Sequence, residues 1–97
     1  MNGMAIDAIV HHEADDVAVV VLGGLDAGAP LRCWSMDRDE MMTIVLRQAV
    51  SFGHKVALRA IAEGERVMKY GSPIGAASAA IEGGDHVHVH NLRSSRW

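Results

Sequence analysis

Gly53–Leu92 reads GHKVALRAIAEGERVMKYGSPIGAASAAIEGGDHVHVHNL. Glycine recurs through it at positions 53, 64, 71, 75, 83 and 84. Between the glycines lie Lys55–Arg59, Arg66–Tyr70, Ile74–Ile81 and His86–His90, each about the length of a strand. Many short strands joined by glycine turns indicate an all-β domain, barrel-like or strongly bent. One turn is used twice, as Ile61-Ala62-Glu63-Gly64-Glu65 and Ile81-Glu82-Gly83-Gly84-Asp85. In both, an aliphatic anchor precedes an acid and then glycine before the next strand.

Upstream the same grammar continues. Met1–Gly3 reads as a frayed start and Ala5–Val10 as a short strand, followed by His11-His12 and the acidic Glu13-Ala14-Asp15-Asp16. Val17–Leu22 is apolar on both faces, which suits a strand buried on both sides. Gly23-Gly24 ends it, a turn-rich stretch to Pro30 follows, and Leu31–Trp34 is a further short strand. Ser35–Phe52 is ambiguous. Met41, Met42, Val45, Leu46 and Ala49 fit a helical stripe, with Asp37 and Glu40 as a capping box. Thr43-Ile44-Val45 is β-branched, and Met42, Ile44 and Leu46 alternate with Thr43, Val45 and Arg47. With strands on either side we assign a strand here, and Asp37–Glu40 becomes a turn.

The chain has 97 residues, the length of one small domain, and residues 1–97 are read as a single domain with a polar tail at 93–97. Two Trp, one Tyr and one Phe leave a core built from Val, Ala, Ile, Leu and Met. Such a core buries modest area, which points towards a partner or a homo-oligomer when isolated. Nine basic residues form no stripe and the net charge is −3, which argues against nucleic-acid or acidic-membrane surfaces. Cys33 is the only cysteine, so neither an intramolecular disulfide nor a cysteine-only zinc site can form. The longest apolar run is too short to span a bilayer, and the N-terminal residues do not resemble a secretory signal. The expected setting is cytoplasmic.

Three of the six histidines, His86, His88 and His90, stand at alternate positions with Val87 and Val89 between them. On a strand that spacing puts the imidazoles on one face and the valines on the other. Imidazole is a common metal ligand and titrates near neutrality, so the row could hold a metal, with Asp85 or another chain completing the shell. Equally, it could be a row facing solvent or neighbouring loops. Gly53-His54-Lys55 could serve an anionic substrate, Lys55 as fixed charge and His54 as acid or base. Adjacent strand residues point apart, so both reach one ligand only through a bend after Gly53, and a plain surface pair is the alternative. In Lys69-Tyr70-Gly71 the default is structural: Lys69 pairs with a carboxylate and Tyr70 fills the core. His11-His12 reads as surface. Arg32 could lower the pKa of Cys33, but with no base partner the thiol reads as a small buried residue. No P-loop, dinucleotide-binding glycine pattern, HExxH or GxSxG is present, so the chain looks incomplete as an enzyme.

The words GHKVAL, IAEGERVMKYGSPIG and GGDHVHVHNL, in this order and spacing, resemble the small N-terminal SAF-type domain of the altronate/galactarate dehydratase family. The likeness covers Asp15–Leu92 in outline and is tight from Gly53; Asp16 stands where the family usually has Asn. The resemblance implies a SAF-type β-clip, a small all-β domain of short bent strands. It implies a hydro-lyase that dehydrates sugar acids such as altronate or galactarate, with a divalent metal, Fe2+ or Mn2+, bound in company with a large subunit. A chain that ends at Trp97 is then expected to be the small subunit, inactive alone, whose partners are a large catalytic lyase subunit and a sugar-acid substrate. The small subunit of sulfolactate sulfo-lyase, which eliminates sulfite, is similar too. A free-standing module gripping an anionic sugar or a partner protein is the non-catalytic alternative. Under the resemblance His54, Lys55, His86 and His88 are candidate catalytic residues. Lys69, His90 and Asn91 are candidate substrate contacts, and His86 and His88 candidate metal ligands.

Overall fold

The computed structural model describes residues 5–94, and every regular element among them is a strand. Met1–Gly3, read as a frayed start, and residues 95–97 of the polar tail lie outside the described residues. In chain order the strands are β1 (Ala8–Val10), β2 (Val17–Val20), β3 (Pro30–Ser35), β4 (Glu40–Val45), β5 (Lys55–Ala57), β6 (Arg66–Lys69), β7 (Ser72–Ala77), β8 (His86–Val87) and β9 (Leu92–Ser94). They form a six-stranded sheet, β4-β3-β1-β2-β5-β8, and a three-stranded sheet, β6-β7-β9. The pairing of β1 with β3 is parallel and every other pairing is antiparallel. No helix among the described residues is long and apolar enough to cross a membrane.

The all-β expectation holds, and so does the strand over Thr43–Val45, with the turn before it at residues 36–39. Three expectations change. The strand predicted over His86–His90 stops at Val87. Arg93 and Ser94, read as the start of a polar tail, are strand residues opposite Ala76 and Gly75. Leu46–Phe52 is not strand, although Leu46 and Val50 are buried.

The repeated turn organises the second half. Ile61 and Ile81 each donate an amide to the other's carbonyl at 2.8 Å. Around that bridge several pairings occur twice, twenty residues apart (57 to 77, 61 to 81, 67 to 87). Lys55 pairs with Val87 as Gly75 pairs with Val67, and Val56 with His86 as Ala76 with Arg66. Gly64 N–H donates to Ala77 O and Gly84 N–H to Ala57 O. Each turn is closed by its own acid, Ala62 N–H donating to Glu65 Oε1 at 3.0 Å and Glu82 N–H to Asp85 Oδ2 at 2.8 Å. The two acids are in turn paired with arginines, Glu65 with Arg59 and Asp85 with Arg47. The halves clasp one another as an internal two-fold.

Two apolar clusters result. One, with Ala8, Val10, Ala18, Val20, Leu31, Cys33, Leu46, Val50 and Val56, belongs to the larger sheet. The other lies under the two-fold and contains its related pairs, Ala57 with Ala77, Ile61 with Ile81 and Val67 with Val87, together with Val17. Burying each Ile or Val contributes about 1.5–3 kcal/mol. The two clusters meet where β2 and β5 pair, since Val17 faces one and Ala18 the other.

The acidic Asp15-Asp16 step is buried at this junction. Asp15 accepts amides from His12 (3.2 Å), Tyr70 (3.0 Å) and Gly71 (2.8 Å), which fixes the β6–β7 turn. That turn needs positive φ at both central residues, and Tyr70 and Gly71 have 56° and 72°. Asp16 accepts from Met68 N–H and from Arg59 Nε, each at 2.8 Å. Where the resembled family usually has Asn, the extra negative charge is matched by that guanidinium.

Candidate functional site

His54 follows the Gly53 turn, whose φ is 82°, and sits at the mouth of β5. His86 opens β8, which lies beside β5 because Val56 pairs with His86. The two rings therefore meet, His54 Nδ1 lying 2.9 Å from His86 Nε2. His88 stacks on His54 at 4.9 Å between centroids and lies 5.5 Å from His86, nearly parallel to it. His90 reaches His86 at 5.3 Å with the rings tilted by 44°. Four imidazoles thus cluster, and His54 belongs with the three that the sequence placed in a row.

They do not cluster as faces of a strand. After Val87 the chain turns, and both Asn91 N–H and Leu92 N–H donate to His88 O. The Asn91 side chain holds the turn: its Oδ1 accepts from His88 N–H at 3.0 Å and its Nδ2 donates to His86 O at 2.9 Å. Val87 is buried, but Val89 is 69% exposed instead of packing beside it. Asn91, expected to contact substrate, is buried and committed to the backbone. Asp85, offered as a further metal ligand, is engaged by Arg47 and by Glu82 N–H.

The ligand nitrogens of His54, His86 and His88 all lie within 4.8 Å of one another. Around a metal the nitrogens of such a set stand roughly 3–3.5 Å apart, at metal–nitrogen distances of about 2.1 Å. The 2.9 Å pair already meets that spacing, and His88, on an exposed turn, is the ring that must move. A three-imidazole set suits a borderline divalent ion and leaves positions open for substrate oxygens. His86 titrates below its ordinary value, first because of burial and then because of the positive charge that His54, His90, His88 and Lys55 can carry. It therefore favours the neutral, ligating form.

Lys55 is half-buried and lines a groove of about 290 Å³ with Lys69, Ile74, His88 and Val89. His88 belongs both to this groove and to the histidine cluster, so His54 and Lys55 serve adjoining spaces across the bend at Gly53. Lys69 has no carboxylate partner among the ion pairs of the described residues, and its Nζ sits 5.0 Å from the centroid of the Tyr70 ring. Tyr70, expected in the core, is 60% exposed and stacks on His11 at 4.3 Å. Cys33 is buried and its thiol is pushed up to about 12, by burial first and by Asp7 second. Arg32 does not activate it, because its Nε is turned to Asp7.

Gln48 is the positioning residue that the sequence did not reveal. Its Oε1 accepts from His86 N–H at 2.7 Å, across 38 residues and from a segment with no motif. The neighbouring Arg47 holds its segment there, through an N–H bond to Gly84 O and an ion pair with Asp85.

Residues 6–95 match the family described as the altronate/galactarate dehydratase SAF domain. The chain is 45% identical over 94 residues to (2R)-sulfolactate sulfo-lyase subunit alpha of Chromohalobacter salexigens, which covers 97% of this chain and 100% of that subunit. It is 48% identical over 84 residues to altronate dehydratase of Escherichia coli and 34% identical over 84 residues to that of Bacillus subtilis. Those two matches cover 87% of this chain but 16% of each dehydratase.

Proposed function

This chain belongs to the altronate/galactarate dehydratase SAF-domain family, and from that premise we propose that it is the small subunit of a lyase acting on a hydroxy acid. Its part is to supply the His54, His86 and His88 wall of a site that a larger catalytic subunit completes. The observation that carries this reading is the convergence of one ligand nitrogen from each of those three rings within 4.8 Å at an open edge of the domain. Exposed Phe52 and Val89, within two residues of the site histidines in the chain, favour a covering partner.

Elimination from a hydroxy acid needs a proton taken from the carbon α to the carboxylate and an acid for the leaving group at the β position. A divalent metal, Fe2+ or Mn2+, held by His54, His86 and His88 would stabilise the enediolate-like charge. Of the chain's own groups, neutral His86 is suited to ligation. Exposed His90 is suited to moving a proton at the mouth of the site, with Lys55 and Lys69 as fixed charge towards an acidic substrate. The first reading of the reaction is dehydration of a sugar acid. The match along the whole length of a sulfo-lyase subunit favours a second, elimination of sulfite from a sulfonated hydroxy acid.

The test is to isolate the tagged chain with its large partner and assay dehydration of altronate and galactarate alongside sulfite release from (2R)-sulfolactate. One activity is expected, and it is lost when this chain is omitted. Full activity of the large subunit alone overturns the reading. His86→Ala with His88→Ala is expected to abolish metal retention by the isolated chain at neutral pH, read by metal analysis after gel filtration.

A further inference from the structure

Lys55 and Lys69 are the only lysines in the chain, and both line the same groove although they lie on different sheets. Among the described residues the carboxylates engaged in ion pairs face arginines or a histidine, never these lysines: Asp7 meets Arg32, Asp16 and Glu65 meet Arg59, Asp85 meets Arg47, Glu40 meets Arg38 and Asp37 meets His12. Two like charges thus share a half-buried groove with no carboxylate paired to either among the described residues. A folded chain gains nothing from such a pair unless an anion enters between them.

We propose that the Lys55–Lys69 groove is an oxyanion subsite for a second acidic group of the substrate, a carboxylate or a sulfonate. The groove shares His88 with the histidine cluster, so an anion held there projects the rest of its molecule across the three imidazoles. Ammonium groups on flexible stems act as point charges and accept planar or tetrahedral oxyanions. Ile74 beside them is partly buried, and its apolar surface strengthens the attraction. The preferred substrate class is then a hydroxy acid with two anionic groups, over one with a single carboxylate. The orientation rests on the proposed lyase role, but anion binding by the groove does not.

The experiment separates the two. The isotope-labelled full chain, without any partner, is titrated with acetate, methanesulfonate and sulfoacetate at constant ionic strength, following backbone amides by NMR. The expected result is saturable shifts at Lys55, Lys69, Ile74 and His88, with sulfoacetate binding about tenfold tighter than acetate. The Lys55→Met, Lys69→Met double variant, which keeps the apolar stems, is expected to weaken binding about tenfold or more. Lys69→Gln alone gives the same reading should the double variant misfold. Shifts that fail to saturate, or affinities unchanged in the variants, overturn the subsite. So does loss of association with the large subunit in the variants while anion affinity is unchanged, which assigns the lysines to an acidic partner surface. Anion binding together with absent lyase activity keeps the subsite and discards the lyase role.

Discussion

His86 touches His54, His88 and His90, and its backbone amide is fixed by Gln48. Because burial and neighbouring charge hold its pKa below the ordinary 6.5, the unfolded chain takes up this proton before the folded one does. Stability therefore rises with pH through that window. In the metal-free chain the His86 contribution is fully present above about pH 6.5 and is lost as pH falls towards the folded value. Melting temperatures followed downward from neutrality are expected to show this decline, and His86→Asn to flatten it. An equal decline in the variant would place the titrating group elsewhere. Asp15 carries a different duty. Its two oxygens accept three backbone amides, and Asp15→Asn would turn an amide donor against at least one of them. Urea denaturation is expected to show a loss of about 1–3 kcal/mol. Among the described residues, the Asp15 oxygens are satisfied by backbone alone, so the turn depends on that carboxylate.

The elements are short, and their ends are set by turns with particular backbone demands. Gly64 and Gly84 occupy equivalent places in the two halves of the clasp, with φ of 86° and 91°. A Cβ at Gly64 would meet open space, whereas one at Gly84 would collide with the Val45 carbonyl oxygen. Gly64→Ala is expected to cost about 1 kcal/mol, the ordinary penalty of a left-handed alanine. Gly84→Ala is expected to cost about 2 kcal/mol or more, because β4 must also shift. Paired denaturation curves decide it, and equal losses would mean that the Val45 contact relaxes freely. Strand β8 gives the complementary lesson. Alternating His and Val predict a strand to His90, but Asn91 captures the backbone of His86 and His88 and turns the chain after Val87. A local side-chain hydrogen bond competes with the ladder and prevails there.

At the scale of the whole molecule, the two sheets meet around the clasp, and one residue pair bridges its centre. Ile61 and Ile81 are each 1% exposed and bridge each other. Each Ile→Ala substitution is expected to cost about 2–5 kcal/mol, a large share of the stability of a small domain. The double variant should lose less than the sum by about 0.5 kcal/mol or more, since each side chain supplies contacts that the other loses. Strict additivity in denaturant titrations would show the two halves to be independent. The sequence by itself determined the all-β class, the glycine turns and the doubled Ile–acid–Gly unit, because these rest on local backbone preferences and on short-range patterning. It also held the family's words, from GHKVAL to GGDHVHVHNL. Only the tertiary structure decided which side chains meet. His54 and His86 stand 32 residues apart and become neighbours through the pairing of β5 with β8. Lys55 and Lys69 come from different sheets into one groove, and Gln48 comes to His86 from a segment without a motif. The physical reason is that alternation along a chain fixes the face on which a side chain stands, whereas its neighbours across that face are fixed by register between strands distant in sequence.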